Sequence, residues 1–103
     1  MDEQIKADAT VFKAFCNEYR LQALERLRTG EKCACDLLEH IQVSQSNLSH
    51  HMKILVESGV VSARQEGKWT YYSINPDGAA HAVARLAELT EVEGAATHSP
   101  ACD

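Results

Sequence analysis

The chain has 103 residues, 45% hydrophobic and 24% charged, with four cysteines and a net charge of −5. That balance is one of a single ordinary globular domain, and it excludes a disordered or membrane-spanning chain. The acidic start MDEQIKADAT has no apolar run, so neither a secretory signal nor a membrane anchor is expected; the protein is expected in the cytoplasm, its cysteines as thiols or ligands rather than a disulfide framework.

The acidic total argues at first against nucleic acid, because DNA affinity rests largely on neutralising phosphates. The charge is unevenly spread, however: −2 over residues 1–43, +1 over 44–72 and −4 over 73–103. Screening limits a patch to a range of about 10 Å, so the sign of the middle third outweighs the total.

In chain order, Ile5, Val11, Phe12 and Phe15 lie among Lys6, Asp8 and Lys13 and predict an amphipathic helix over 3–16 whose apolar face needs a partner. Cys16-Asn17-Glu18 reads as a break. Leu21, Leu24 and Leu27 then mark a second helix stopping near Gly30, with Arg20, Arg26 and Arg28 along its solvent side. Of these, Arg20 is a candidate for a buried pairing or a phosphate contact.

Ala34, Leu37, Leu38 and Ile41 predict a third helix, and after a break at Gln42-Val43 a fourth follows through Leu48, Met52, Leu55 and Val56. Ser44 is placed as its N-cap and Gly59 as its left-handed stop. The run VVSARQEGKWTYYSI is β-branched and aromatic on both sides of Glu66-Gly67, which predicts a two-stranded hairpin turning at Gly67. Trp69, Tyr71 and Tyr72 are expected to pack it onto the helices, Trp69 in the core rather than as a base-stacking platform.

Pro76-Asp77 opens a last helix to about Glu91, with Ala79, Ala80, Val83, Leu86, Ala87 and Leu89 as an apolar stripe. This helix and the first are assigned to a symmetric homodimer interface, although an intrachain core stripe has the same periodicity. Residues 1–92 are read as one domain and 93–103 as a flexible tail. The order α-α-α-α-β-β-α, mainly α with a small β-hairpin, is a winged helix-turn-helix.

At this point the residues resemble a family. Arg20-Leu21, Cys33-Ala34-Cys35-Asp36-Leu37, the run Ser44 to Met52, and Glu66-Gly67-Lys68-Trp69 with Tyr72 look like the ArsR/SmtB metal-responsive repressors over residues 10–90. The Cys-x-Cys-Asp-Leu segment is most similar to the arsenic-responsive members. The resemblance implies a homodimeric repressor on double-stranded operator DNA, released by an ion at Cys33 and Cys35.

For DNA, the fourth helix offers Gln45, Ser46, Asn47, Ser49, His50 and Lys53, short polar groups able to reach base edges in a major groove. Gln45 and His50 are the candidate base contacts; Lys53, with Arg64 and Lys68 beside the hairpin tip, are candidate phosphate contacts. His51, in register with Leu48 and Leu55, is read as inward-facing.

Thiolates are soft ligands, and trivalent arsenic or antimony takes three. A helix N-terminus also favours the thiolate form of Cys33 and Cys35. On a regular helix, residues two apart point about 200° away from each other, so one small ion at both sulfurs is expected to require the first turn to unwind. That unwinding is the expected link to DNA release. The third donor is left to Cys16, read as small and buried, to Cys102, or to a small-molecule thiol.

No resident cofactor is required; As(III) or Sb(III) is the expected inducer. Cadmium, lead or zinc at the same thiols, or their oxidation, are alternatives, as are a thiol metal buffer or oxidoreductase and a protein-interaction module without DNA binding. No nucleophile-base-orienter set or phosphate-cradling glycine loop is visible, so an enzyme is not expected.

Overall fold

The computed structural model describes residues 2–93. Helix α1 (Glu3–Ala14) starts where the Asp2 carboxylate accepts the Gln4 N–H, and α2 (Glu18–Leu27) where Asn17 accepts those of Tyr19 and Arg20. The Cys16-Asn17-Glu18 break is therefore a capping site. Strand β1 (Lys32–Cys33) leads directly into α3 (Ala34–His40), and α4 (Gln45–Glu57) follows after a short turn. Ser44 Oγ accepts the Asn47 N–H at 3.1 Å, and Gly59, at φ +88°, stops the helix in the left-handed conformation that glycine tolerates.

The hairpin comprises β2 (Val61–Glu66) and β3 (Trp69–Ile74), in antiparallel register from Val61 opposite Ile74 to Glu66 opposite Trp69. The two-residue turn has positive φ only at Gly67, the first central position, as in a type II′ turn. Helix α5 (Pro76–Thr90) is capped by Asn75, whose side chain accepts the Asp77 and Gly78 N–H groups.

The winged helix-turn-helix order is as the sequence predicts, with one addition. Strand β1 pairs with β3, Lys32 opposite Tyr72 and Cys33 opposite Tyr71, so the sheet has three strands in the order β1-β3-β2. Two residues are too short to show a period of two, which is why the strand is silent in the sequence.

The core lies where α2, α3 and α4 meet the sheet: Leu37, Ile41, Met52, Leu55 and Val61 are fully enclosed, joined by Ala23, Leu27, Leu48 and Tyr72. Two details of α2 differ from expectation. Leu21 is about half exposed, while Arg20 turns inward to 7% exposure. Its guanidinium donates to the Ala14 and Lys13 carbonyls at 2.8 and 3.3 Å, tying down the C-terminal end of α1. Arg20 is thus a buried structural residue and not a phosphate contact.

Helix α1 reaches α5 through a bidentate ion pair, Arg85 on Asp8 at 2.7–3.1 Å, extended by Gln4 on Asp8 and by Arg85 on Glu88. Outside that pair α5 buries only Ala82 and leaves Val83, Leu86 and Leu89 exposed, as is Val92 just beyond its end. The assignment of residues 93–103 to a flexible tail, and with it Cys102, lies almost wholly outside the described residues. Among those described, no helix is long and apolar enough to cross a membrane.

Candidate functional site

Helix α4 is two-faced because Leu48, Met52 and Leu55 are held in the core, which turns the opposite side chains outward. Gln45, Ser46, Asn47, Ser49, His50 and Lys53 are all exposed. No acidic residue lies in the first turn of α4, so the positive end of its dipole is left open to an anion.

His51 turns inward, as expected. Its Nδ1 lies 3.0 Å from Arg20 Nη1, so this nitrogen accepts and the ring proton sits on Nε2. Burial, then the adjacent Arg20 and His50 charges, hold the imidazole below its ordinary pKa, keeping it neutral at pH 7.

The wing places its two cations differently. Lys68 stands exposed at the tip, its Nζ 5.5 Å from the Trp69 ring centre. Arg64, expected as a free phosphate contact, is instead engaged: it makes two bonds of 2.8 Å to Glu31 and one of 2.8 Å to Glu66, and lies over the Tyr71 ring at 4.6 Å. The Arg64 guanidinium holds the Glu31 carboxyl below the usual carboxylate range. Arg64 is thus ion-paired at a half-exposed position, whereas Lys53 and Lys68 make no ion pair among the described residues.

Cys33 and Cys35 are not both helical. Cys33 is the N-cap of α3, with extended backbone (φ −83°, ψ 162°), and its sulfur accepts the Asp36 N–H at 3.4 Å. Cys35 belongs to the first turn. The extended residue rotates its side chain toward that of Cys35, the Cα atoms are 5.3 Å apart, and the sulfurs are joined in a disulfide. The expectation that one ion at both sulfurs requires the helix to unwind is therefore corrected: the about 200° separation applies only where both residues are helical.

A third donor, not anticipated, lies beside the pair. A carboxylate oxygen of Asp36 lies within 4.8 Å of both sulfurs, the one cluster of this kind among the described residues. The CACD string makes this residue visible in sequence, but not that its carboxylate faces the thiols. Cys16, read as buried, is exposed and free, its sulfur donating to the Phe12 carbonyl at 3.5 Å, and it is not part of that cluster.

Trp69 also departs from its expected place. It is 49% exposed and closes a cleft of about 340 Å³ between α3, the start of α4 and the wing, with Cys35, Leu38, Gln45, Ser49, Lys68 and Tyr72 among the other walls. Cys35 and the outward face of α4 thus open onto one space. No sequence signal foretells this, because the walls come from three elements that meet only in the fold.

An outward polar helix, its supporting helix and a hairpin with a basic tip define a winged helix-turn-helix regulator. Residues 17–63 match the family described as "Bacterial regulatory protein, arsR family". Over 88 residues the chain is 35% identical to an uncharacterized HTH-type transcriptional regulator of Methanocaldococcus jannaschii, covering 84% of this chain and 99% of that one. The chain belongs to the arsR family of bacterial regulatory proteins.

It is also 48% identical over 67 residues to an arsenical resistance operon repressor of Staphylococcus aureus, a match that covers 65% of this chain and 64% of that relative's length. Among solved structures, a homodimeric winged helix-turn-helix DNA-binding domain from Mycobacterium bovis superposes with a TM-score of 0.66 at 27% identity, over 93% of this chain and 91% of that one.

Proposed function

We propose that this chain is a cytoplasmic homodimeric repressor of arsenical resistance that occupies operator DNA and releases it when As(III) or Sb(III) binds Cys33 and Cys35. Residues 1–92 act as the DNA-binding and dimerisation unit. Gln45 and His50 read base edges, supported by Ser46, Asn47 and Ser49, while Lys53 and Lys68 meet phosphates. A dimer predicts an imperfect palindrome with half-site centres one helical turn, about 34–36 Å, or a multiple of it apart.

The observation that carries this reading is the shared cleft. Cys35 lines the same space as Gln45 and Ser49 of α4 and Lys68 and Trp69 of the wing, so a ligand at the thiols contacts the surface offered to DNA. Cys33 adds a second route, being both paired to β3 and the cap of α3. A ligand shifts an equilibrium only by its differential affinity for the two states, and here both states pass through the same residues. The reduced pair is the form that binds the ion.

The dimer is supported by the exposed stripe Val83, Leu86 and Leu89 and by an apolar groove of about 400 Å³ lined by Phe12, Phe15, Ala82, Val83 and Leu86. The Staphylococcus aureus relative's name points to the same signal. A second reading, a soft divalent ion such as cadmium, lead or zinc, is favoured by the Asp36 oxygen beside the two sulfurs.

The test is release of a footprinted operator complex by arsenite, cadmium and zinc in Cys16→Ser, Cys33→Ser, Cys35→Ser and Cys102→Ser variants. Loss of the arsenite response in the Cys33 and Cys35 variants is expected. A normal response in either refutes the site, and release by cadmium alone selects the second reading.

A further inference from the structure

Arg64 is the one basic residue of the wing whose charge is already engaged within the fold. Its Nε and Nη2 donate to the two carboxylate oxygens of Glu31 at 2.8 Å each, and Nη1 donates to Glu66 at 2.8 Å. Two parallel bonds from one guanidinium to one carboxylate use the fork geometry that arginine also offers to a phosphate. Glu31 therefore occupies the edge of Arg64 that a DNA phosphate would take.

Strand pairing sets this contact. Glu31 immediately precedes β1, and Tyr71 of β3 pairs with Cys33 on one side and with Arg64 on the other. The guanidinium lies over the Tyr71 ring and meets a carboxylate 33 positions away in sequence. Standing between two carboxylates, Arg64 leaves this side of the wing with a net negative charge, while Lys53 and Lys68 make no ion pair among the described residues. The Arg64 and Glu31 side chains are still 52% and 36% exposed, so a competing anion can reach the pair.

We propose that Glu31 is an internal competitor of DNA: it positions Arg64 away from the duplex in the free protein, and binding exchanges the Glu31 carboxylate for a backbone phosphate. This rests on the reading of the chain as a DNA-binding regulator. Arg64 is a phosphate contact in the complex and a latched residue outside it. Because phosphate contacts carry no sequence information, the latch lowers affinity for any duplex, operator or random.

The full-length chain and its Glu31→Gln, Arg64→Gln and doubly substituted forms are titrated onto labelled operator and random duplexes, read by fluorescence anisotropy over a series of salt concentrations. Both side chains are exposed, so neither substitution opens the core. Glu31→Gln is expected to bind both duplexes about three- to five-fold more tightly, the upper part of what an exposed ion pair supports. Arg64→Gln is expected to flatten the slope of log affinity against log salt by about 0.9, the loss of one phosphate contact. In the doubly substituted form the gain from Glu31→Gln is expected to vanish, which removal of a repulsive charge alone would not produce.

Unchanged or weaker binding by Glu31→Gln makes the pair a brace of the wing, and a gain that persists without Arg64 is plain charge repulsion. Either result overturns the competition, as does a salt slope that Arg64→Gln leaves unchanged, while duplex binding by the parent leaves the DNA reading standing. A parent chain that binds neither duplex at low salt refutes both.

Discussion

Cys33 ends β1 and caps α3, so its sulfur has a structural role besides the proposed sensing role, and substitutions separate them. Serine keeps a cap acceptor and alanine does not, so Cys33→Ala is expected to be less stable than Cys33→Ser by about 1 kcal/mol in urea denaturation. Both are expected to lose the arsenite response. Equal stabilities would show that the Asp36 N–H contact contributes nothing.

His51 gives a pH dependence. Its folded pKa lies below the ordinary 6.5, chiefly through burial, so the unfolded chain binds the proton more tightly. The associated stability is complete above pH 6.5 and declines as pH falls from there toward the folded pKa. Denaturation midpoints at a series of pH values are expected to show this decline in the parent. It should be absent in His51→Gln, where an amide oxygen can still accept from Arg20 but does not titrate.

At the scale of elements, the sheet and α5 are joined where backbone meets backbone. Asn75 N–H donates to the Val60 carbonyl at 2.8 Å, and the first turn of α5 packs so close that a Cβ on Gly78 would overlap the Gly59 carbonyl. In an open helix, glycine to alanine is stabilising by about 0.4–1 kcal/mol. Here the added methyl meets backbone that cannot swing away, so Gly78→Ala is expected to destabilise by about 1–3 kcal/mol in thermal or urea unfolding. A stabilised variant would refute the close packing.

Over the whole molecule, the unsatisfied feature is the outer face of α1 and α5. Ile5, Val83, Leu86 and Leu89 are exposed on helices already joined by the Asp8–Arg85 pair, so the face is set in position before a partner arrives. Val83→Glu with Leu86→Glu is expected to yield a folded monomer by sedimentation and to weaken operator binding strongly, since each half-site then binds alone. A dimer that persists would move the interface elsewhere.

The sequence by itself determined what depends on neighbours within about four residues: five helices, the cap at Ser44, the stop at Gly59, the turn at Gly67, and the outward polar face of α4. It also marked Cys33 and Cys35 as a pair. What it could not show rests on groups far apart in the chain, whose meeting depends on packing rather than on spacing. The β1–β3 pairing, the Arg64–Glu31 and Arg85–Asp8 pairs, the inward turn of Arg20 and the cleft that Trp69 closes over Cys35 are of this kind. The adjacency of the two sulfurs belongs there too, because Cys33, paired to β3 and capping α3, is extended while Cys35 enters the helix.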